Sequence, residues 1–461
     1  MNLPDGSRTP AFLQIYQWST HPAEFLKSNK RFGDIFTARF PGIINVFISC
    51  PEALEKVFSA NPGTFDSGGN YEILKPMVGE KSSMLLDGKP HQRQRKLLMP
   101  PFHGDRIRAY GKLICEQIES VTKDFKVGES FNLTHCIKKI TLEVILRAVF
   151  GLNEGENLEQ ARQKIQALID TIVSPFFVLH LLVPSLQKDL GSWSTWGRFL
   201  RIRSELDQIL YAEIDRRRLS ESQLERTDIL SLLMAARDEE GKPLSQQELR
   251  DEMMTIFMAG QHTVEIAALW ALYWIYTTPR VLKGLQKELS TANYLVNDLT
   301  DTNALSQLSY LNATYQETLR FYPAITTAAA RIVKTPFKMM GYEFPVGTFL
   351  YPSIYSAHHR AEVYHEPEKF IPERFLERQF SPYEYLPFGG GNRRCIGYAF
   401  AEYQIKLILV TILSKYQLQL SDNRPIYPVR SGPGLGLSRD ILMTVTAKNQ
   451  ALRECYEYNT K

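Results

Sequence analysis

The sequence contains few cysteines, and no two of them are closely spaced. The five are Cys50, Cys115, Cys136, Cys395 and Cys455, with no CxxC pair among them. A disulfide framework needs an even number of cysteines, and a zinc finger needs closely spaced pairs. This pattern argues against both and indicates a reducing compartment, so we predict a cytoplasmic location.

The sequence also lacks a strong net charge. It has 54 Lys and Arg against 50 Asp and Glu, which gives a formal net charge of +4 over 461 residues. Nucleic-acid-binding domains usually carry a much larger basic excess, so we expect no nucleic-acid partner. The hydrophobic fraction of 44% and the charged fraction of 23% are ordinary for a folded globular protein and argue against a disordered or low-complexity chain.

No segment has the pattern of a membrane span. The most hydrophobic helical stretch, 257–276, contains the polar side chains Gln261, His262 and Glu265, which rarely occur together in lipid. A weaker stretch, 172–183, is interrupted by proline. The N-terminus has no basic segment followed by an apolar run, so it does not resemble a secretory signal. We therefore expect no transmembrane anchor.

Hydrophobic periodicity predicts a mainly α-helical protein with small β-sheets. Two β-rich runs, 35–40 and 43–48, flank a Pro-Gly turn and predict a hairpin, while helical periodicity dominates from 92 to 322. No repeat or linker is visible, so we predict one large helix-rich domain with peripheral antiparallel sheets. Its predicted parts are a single domain 1–461, β-rich segments at about 30–60 and 325–350, a helical body at about 90–322, a solvated loop over 216–218 and 221–227, and a long ordered loop over 367–397.

The most informative stretch is 388–397, which has the form F-x-x-G-x-R-x-C-x-G. A predicted helix over 398–413 follows it. A thiolate at Cys395 would lie just before the N-terminus of that helix, where backbone N–H groups and the helix dipole favour an anion. Glycines in the loop would allow a flat cofactor to approach closely. The alternative is a buried structural cysteine beside a turn, which is the usual role of a lone cysteine.

This loop resembles the haem-binding signature of the cytochrome P450 family of haem-thiolate monooxygenases. The resemblance implies the cytochrome P450 fold, a haem b cofactor (iron protoporphyrin IX), and Cys395 as the proximal iron ligand. Phe388, Gly391 and Gly397 occupy the other haem-binding positions of the motif. A thiolate ligand pushes electron density onto the iron and favours cleavage of the O–O bond.

A second group of residues matches the motif E-x-x-R and its partner segment. Glu317 and Arg320 lie one helical turn apart, and Arg374 follows in the segment Pro-Glu-Arg-Phe. The resemblance implies a buried triad that holds the cysteine loop. The E-x-x-R spacing alone is weak, since Glu213 and Arg216 share it, and the alternative is a surface salt bridge worth little.

Four basic residues match positions that bind the haem propionates in the family. His91 and Arg95 have i, i+4 spacing and would share one helix face, and a guanidinium suits bidentate binding of a carboxylate. Arg331 and Arg393 stand at two further propionate positions. Without the resemblance, all four would be interpreted as solvated surface residues.

The segment Met-Ala-Gly-Gln-His-Thr at 258–263 resembles the family's oxygen-side motif A/G-G-x-D/E-T. The resemblance implies that Gly260 widens the helix groove for dioxygen and that the Thr263 hydroxyl bonds the oxygen or its water. His262 replaces the usual acid. A histidine can shuttle protons near neutral pH, and the same residue is familiar in the sterol 14-demethylase branch, although 71–86 lacks the aromatic pattern of that branch. The alternative is a core histidine bonded to a neighbouring backbone carbonyl.

Two further clusters suggest other chemistry less strongly. His358, His359 and His365 lie near acidic residues, but their spacing fits no standard zinc site, and we interpret them as structural. The run 432–436 contains three glycines but lacks the Lys and the strand-to-helix context of a phosphate loop. It is better interpreted as a turn that reaches into a substrate cavity.

We therefore predict a monomeric haem monooxygenase that inserts one atom of dioxygen into an apolar substrate such as a fatty acid or terpenoid. The predicted substrate contacts are Phe177, Phe257, Ala259, Ile325 and Leu435. Since the sequence after Cys395 has no room for a flavin or iron–sulfur domain, we expect electrons from an external ferredoxin or flavodoxin with its reductase. The proposed docking surface contains the basic residues Arg93, Lys96, Arg394 and Lys406.

Two other functions would keep the same cysteine loop. A haem-thiolate isomerase or dehydratase would act on a peroxide without an electron carrier, but such relatives usually lose the oxygen-side threonine, and Thr263 is present. A non-catalytic haem sensor would need no ordered proton route from Gly260 to Thr263.

Overall fold

The structure is a computed structural model that describes residues 2–40, 42–61, 63–152, 156–172, 174–219, 226–292, 300–432 and 434–449. The chain divides into two compact units. The first contains the described residues of Met1–Ser67, Tyr110–Thr141 and His262–Lys461, and the second those of Gly68–Ala109 and Leu142–Gln261. A single domain over 1–461 stays a prediction.

Helices of the first unit begin where the sequence supplies a start signal. Proline occupies an early position of three of them, where its missing N–H is not needed. Ser353 caps another by accepting from the backbone N–H of Ser356. The helices are α1 (Ala11–Thr20), α2 (Pro22–Asn29), α3 (Pro51–Phe58), α7 (Gly111–Thr122), α14 (Pro279–Ala292), α15 (Thr302–Gln307), α16 (Ser309–Phe321), α17 (Ile354–His358), α18 (Arg374–Glu377) and α19 (Tyr398–Lys415).

All strands in the described residues belong to the first unit. They are β1 (Ile35–Phe40), β2 (Ile43–Ile48), β3 (Phe65–Asp66), β4 (Ser130–Asn132), β5 (Arg331–Val333), β6 (Phe337–Met339), β7 (Tyr342–Phe344), β8 (Phe349–Pro352), β9 (Tyr416–Leu420), β10 (Pro428–Ser431), β11 (Gly434–Leu437) and β12 (Leu442–Lys448). The largest sheet has the order β1-β2-β8-β5-β3, and the others are β4-β12-β9, β6-β7 and β10-β11. The predicted hairpin at 35–48 and the strands within 337–350 are confirmed.

Helix α13 (Gln246–Thr277) is the longest helix of the described residues, and it passes from the second unit to the first at Gln261. Most of its side chains are buried, as predicted for a core helix. In the middle of the helix several residues are less buried, among them a stripe formed by exposed Ala259 and half-buried Gly260 and Thr263. In the described residues, no helix combines the length and apolar character needed to cross a membrane.

In the described residues of the second unit, all regular secondary structure is helical. Ser194 and Asp228 cap two of its helices by accepting from Gly197 and Ser231. Its helices are α4 (Lys75–Val78), α5 (Gly88–Leu98), α6 (Asp105–Ala109), α9 (Glu156–Ile172), α10 (Pro175–Leu182), α11 (Thr195–Arg218) and α12 (Ile229–Ala235), and α8 (Leu133–Val144) ends in it with a π-helical turn, Ile145–Val149.

The predicted loop at 216–218 is wrong. These residues form the last turn of α11, and the Arg217 side chain is buried. Its guanidinium donates to Glu213, Asp228 and the Phe150 carbonyl oxygen. The three consecutive arginines suggested solvent from the sequence, but buried carboxylates compensate the charge of the middle one. Most of the predicted loop 221–227 lies outside the described residues.

Candidate functional site

The cysteine loop is built in the first unit, directly before helix α19. The backbone N–H of Cys395 donates to the Phe388 carbonyl oxygen at 3.0 Å, which closes the loop on itself. The Cys395 side chain is exposed. Gly397 occupies the N-cap position of α19, so the thiol lies at the positive end of the helix dipole. The predicted helix after the loop is confirmed.

Glycine is required where the loop passes Phe58 of helix α3. A Cβ on Gly391 would lie 2.6 Å from the Phe58 carbonyl oxygen, and one on Gly390 would lie 2.5 Å from its ring. The backbone of Gly391 also has a φ of +65°, which other residues rarely adopt. The glycines of the motif thus let the loop lie flat against α3.

Arg331 reaches the same loop from strand β5. Its side chain is buried and donates to the carbonyl oxygens of Ala329 at 2.7 Å and Gly390 at 3.2 Å. Its guanidinium also lies over the Phe58 ring. Arg393 is half-buried in a short 3-10 turn of the loop. Of the predicted propionate partners in this unit, Arg393 therefore lies in the cysteine loop and Arg331 contacts that loop.

The predicted triad of Glu317, Arg320 and Arg374 forms in the first unit. Arg320 donates to both carboxylate oxygens of Glu317 at 2.7 and 2.9 Å, and Arg374 lies 3.2 Å from that carboxylate. The side chains of Glu317 and Arg320 have no exposed area. This is a buried ion pair with satisfied hydrogen bonds rather than a surface salt bridge.

His358 connects the triad to the cysteine loop. Arg320 donates to the His358 carbonyl oxygen at 2.9 Å. The His358 Nε2 atom then accepts from the Leu386 backbone N–H at 2.9 Å, just before Phe388. Burial and the nearby Arg320 hold the pKa of His358 far below its usual range, so the ring stays neutral and can accept. The structural interpretation of the histidine cluster is confirmed for this residue.

Neither of the other two histidines resembles a metal ligand. His359 is buried and bonds the Tyr355 carbonyl oxygen, whereas His365 is exposed. Among the described residues, no group of three or more His, Cys, Asp or Glu side chains could hold a metal ion.

His262 and Thr263 lie on helix α13 at the point where it enters the first unit. The His262 Nε2 atom lies 2.8 Å from the Ser431 hydroxyl oxygen on strand β10. Its Nδ1 atom lies 3.8 Å from the Glu265 carboxylate. This side-chain partner replaces the backbone carbonyl that we considered as the alternative. Thr263 is half-buried one position further along the helix.

The predicted turn at 432–436 is the β10–β11 hairpin, although Pro433 lies outside the described residues. Leu435 is buried, and its carbonyl oxygen accepts from the Trp270 indole N–H at 2.7 Å. A Cβ on Gly434 would lie 1.7 Å from the Ala324 carbonyl oxygen, so the hairpin packs directly beside the half-buried Ile325.

In the second unit, helix α5 carries His91 and Arg95 on one face. His91 is buried and Arg95 half-buried. Between them, Gln94 donates to the Glu252 carboxylate on helix α13 at 2.8 Å. The Ser83 backbone N–H and hydroxyl also donate to Glu252, at 2.5 and 2.9 Å. Glu252 is therefore a fully buried acid that fixes α5 and the segment before it.

The predicted substrate contacts of the second unit differ in exposure. Ala259 is exposed, whereas Phe257 is buried on the inner side of helix α13. Phe177 is fully buried, and its ring packs with Trp196 and Phe199 at centroid distances of 5.8 and 4.9 Å. The role of these three residues in substrate binding stays a prediction.

The predicted basic docking surface needs correction. Lys406 is buried and pairs with Glu402, so it is not a surface cation. The two predicted docking residues on helix α5 are already in ion pairs: Arg93 pairs with Asp238 and Glu248 at 2.6 and 3.0 Å, and Lys96 pairs with Glu239 at 2.6 Å. Arg394 remains exposed beside Cys395 and lies over the Tyr398 ring.

The other described cysteines differ from Cys395 in exposure. Cys50 and Cys115 are buried and Cys136 is half-buried. Burial raises the pKa of the Cys50 thiol and raises that of Cys136 to about 11, so both stay protonated and unreactive. Cys455 lies outside the described residues.

These residues fit a haem. One exposed thiol is presented by a flat, glycine-rich loop, and arginines flank it in the same unit. A single cysteine thiolate is one of the ligands by which proteins hold a haem iron. Cys395 would hold the iron, and Arg331 and Arg393 of the same unit would bind the propionates. The propionate role of His91 and Arg95 stays a prediction.

Comparison with known proteins agrees with this interpretation. The family model "Cytochrome P450" matches residues 4–442. Cytochrome P450 135B1 of Mycobacterium tuberculosis is 33% identical over 422 residues, which cover 91% of this chain and 86% of that protein. Cytochrome P450 135A1 of the same organism is 31% identical over 420 residues, covering 90% and 89%.

Solved structures show the same fold. The cytochrome P450DA haem domain superposes with a TM-score of 0.83 at 19% identity, covering 97% of this chain and 98% of that chain. The retinoic acid-bound cyanobacterial CYP120A1 superposes with a TM-score of 0.79 at 22% identity, covering 97% and 100%.

The fold and the cysteine loop thus define a haem-thiolate protein, and the family match extends over nearly the whole chain. The chain belongs to the cytochrome P450 family. It is a monooxygenase that binds haem (iron protoporphyrin IX) and uses dioxygen together with a redox partner.

Proposed function

We propose that this monooxygenase hydroxylates or epoxidises a long apolar substrate of the fatty acid or terpenoid class. The observation that carries the proposal is the stripe on helix α13 formed by exposed Ala259 and half-buried Gly260 and Thr263. The stripe offers an apolar surface with one hydroxyl. Half-buried Ile325 adds an apolar side chain, and apolar walls with few polar groups favour a hydrocarbon ligand.

In the proposed reaction, one oxygen atom enters a C–H bond or a C=C bond of the substrate. The other atom leaves as water, with two electrons and two protons supplied for each turnover. When bound, the haem supplies the activation of dioxygen. The chain's own residues hold the cofactor through Cys395 and the arginines, exclude bulk water with apolar side chains, and deliver protons.

Proton delivery is proposed for Thr263 and His262. The Thr263 hydroxyl lies on the half-buried stripe beside Gly260, and a hydroxyl can donate one hydrogen bond while it accepts another. His262 adjoins it and is bonded to Ser431 and near Glu265. An imidazole with a partner at each nitrogen can take up a proton on one side and release it on the other.

Electrons are proposed to come from an external ferredoxin or flavodoxin with its reductase. The exposed Arg394 adjoins Cys395 in the loop and carries a positive charge that suits an acidic carrier. Because the other basic residues that we predicted are paired or buried, the attraction depends on few charges. We propose a monomer in the cytoplasm, in agreement with the absence of cysteine pairs in the sequence.

Two measurements test the proposal. A panel of fatty acids, terpenes and steroids, with retinoic acid included because the cyanobacterial neighbour binds it, is scored by the low-to-high spin shift of the ferric Soret band. Compounds that shift it are then incubated with a surrogate ferredoxin, reductase and NAD(P)H. Product formed in proportion to NAD(P)H supports the proposal.

The same assay separates the two rival functions. Product from a peroxide without NAD(P)H would indicate an isomerase or dehydratase. Binding of haem and ligands without NAD(P)H consumption would indicate a sensor. A spin shift with steroids alone would contradict the proposed substrate class while leaving the monooxygenase in place.

A further inference from the structure

The β10–β11 hairpin is bonded to helix α13 at two points in the first unit. The Ser431 hydroxyl oxygen lies 2.8 Å from His262 Nε2, and the Leu435 carbonyl oxygen accepts from the Trp270 indole N–H at 2.7 Å. Residues 262 and 270 are about 12 Å apart along an α-helix, at 1.5 Å per residue. The hairpin therefore lies along two turns of the helix, with its tip at His262.

The local sequence of the hairpin makes this contact possible. A Cβ on Gly436 would lie 2.5 Å from the Ser431 Cβ, so the absence of a side chain at Gly436 leaves room for the serine. At the tip, a Cβ on Gly432 would lie 3.6 Å from the His262 ring. The His262 side chain is 33% exposed, so one side of the ring lies against Gly432 and Ser431 supplies the polar contact.

Glu265 determines which nitrogen of His262 is the better proton carrier. Its carboxylate lies 3.8 Å from Nδ1, one turn further along the helix. A negative charge on that side favours a proton at Nδ1. The lone pair of the neutral ring is then at Nε2, where the Ser431 hydroxyl can donate to it. The two partners thus select one tautomer and one ring orientation.

We propose that Ser431 is a positioning residue for proton delivery, which holds His262 as the Nδ1–H tautomer with its ring fixed beside Thr263. The inference rests on the proposed function, in which His262 and Thr263 deliver protons. Without the Ser431 hydroxyl, the Nε2 atom of His262 loses this hydrogen-bond partner, and the ring can turn about its side-chain bonds. The rate of proton delivery then falls, and more of the reduced oxygen is released as peroxide.

The first test measures coupling, the ratio of product formed to NAD(P)H consumed, in the holoenzyme with the panel compound that gives the largest spin shift. We expect Ser431→Ala to lower coupling about fivefold, as the loss of one hydrogen bond of about 1 kcal/mol implies. Ser431→Thr retains the hydroxyl and should restore most of it. Ser438→Ala is the matched control, because Ser438 bonds the Tyr427 backbone N–H at the base of the same hairpin.

The second test observes the ring directly. In the diamagnetic ferrous carbon monoxide form, ¹⁵N chemical shifts of labelled histidine report which nitrogen carries the proton. We expect the His262 resonances to show the Nδ1–H tautomer in the parent and in Ser438→Ala, and a mixture of tautomers in Ser431→Ala. An unchanged tautomer in Ser431→Ala would overturn the inference.

A double-variant comparison separates this inference from the proposed function. If His262→Ala lowers coupling and adding Ser431→Ala lowers it no further, Ser431 acts through His262. If His262→Ala lowers coupling while Ser431→Ala leaves it at the parental value, the positioning inference fails and the proton role of His262 stands. If His262→Ala leaves coupling unchanged, the proposed proton role itself fails.

Discussion

The guanidinium of Arg331 donates a hydrogen bond to the carbonyl oxygen of Gly390 over 3.2 Å, although the two residues are 59 positions apart in the sequence. A second bond of 2.7 Å joins it to Ala329. The same side chain that the resemblance assigns to a haem propionate therefore also supports the loop that presents Cys395. If the propionate contact forms as proposed, this one buried arginine would both bind the cofactor and support the loop that holds it.

Arg331→Lys is expected to lower haem retention and stability together. An ammonium keeps the charge but not the planar fork that reaches two carbonyls, and loss of hydrogen bonds from a charged donor costs about 1.5–3 kcal/mol each. The measurements are the rate of haem transfer to apomyoglobin and the melting temperature. Arg331→Met should release haem faster than Arg331→Lys, since it also removes the charge; equal rates would contradict a propionate contact.

Glu317→Gln is expected to destabilise the protein by about 3–5 kcal/mol, because it leaves two buried guanidinium groups without their counter-charge. Through Arg320 and His358 the effect should reach the cysteine loop, so haem should be lost before the fold melts. Absorbance of the Soret band and circular dichroism, followed during the same thermal scan, test this order. The matched control is Glu373→Gln, because Glu373 also pairs with an arginine, Arg280, and accepts from Tyr310, but is partly exposed. An equal loss of stability in both variants would contradict the special role of the triad.

The sequence was sufficient to predict the cysteine loop, the triad and the helical body, because each depends on a local pattern or a spacing that the family preserves. The sequence was insufficient to predict that His358 connects the triad to the cysteine loop, because its partners Leu386 and Arg320 lie 28 and 38 positions away. The least accurate predictions concerned charged side chains that are buried. Arg217 and Lys406 were interpreted as exposed, although Glu213 and Glu402 lie one helical turn away from them in the sequence. The spacing predicts the ion pairs, but the burial of each pair depends on packing that forms only on folding.

Ser431 and Glu252 show the same limit in the candidate site. Neither belongs to a motif, and a serine in a short strand or a glutamate in a helix is ordinary in isolation. Their importance comes from contacts over 169 positions, to His262 in one case and to Ser83 in the other. The presence of His262 in place of the usual acid was the signal in the sequence that this position would have a different hydrogen-bond partner, which is Ser431 in the structure.

Thr263→Ala is expected to reduce coupling about tenfold and to increase peroxide, with little change in the spin shift on substrate binding. The reason is that the half-buried hydroxyl is lost while the apolar stripe remains. Peroxide and product are measured against NAD(P)H consumed. Thr255→Ala serves as the control, because its hydroxyl bonds Ser82 and the Asp251 carbonyl oxygen on the same helix. Unaltered coupling in Thr263→Ala would show that His262 or water alone delivers protons.

Arg394→Glu is expected to weaken reduction by an acidic carrier about tenfold at low ionic strength, and the difference from the parent should shrink as salt is raised. The exposed guanidinium of Arg394, beside Cys395, lies over the Tyr398 ring, and no ion pair of Arg394 is found among the described residues. Lys96→Glu is the matched control, since Lys96 is equally basic but is paired with Glu239. The rate of ferredoxin-dependent reduction is measured from 20 to 500 mM salt, over which the Debye length falls from about 20 to about 4 Å. A rate independent of salt would contradict electrostatic docking.

The buried Glu252 should make stability depend on pH. Burial raises the pKa of its carboxyl from 4.5 to about 8 despite three donors from Ser83 and Gln94. Between these two values the unfolded chain has lost the proton while the folded chain keeps it, so the folded state loses up to about 1.4 kcal/mol of stability per pH unit as pH rises. Glu252→Gln removes this titration, and its melting temperature relative to the parent should therefore rise steadily from pH 5.5 to pH 8 and level off above. Glu239→Gln, at an exposed carboxylate, should show a constant difference over the same range. A constant difference for Glu252→Gln as well would mean that the carboxylate is already ionised in the folded protein at pH 5.5.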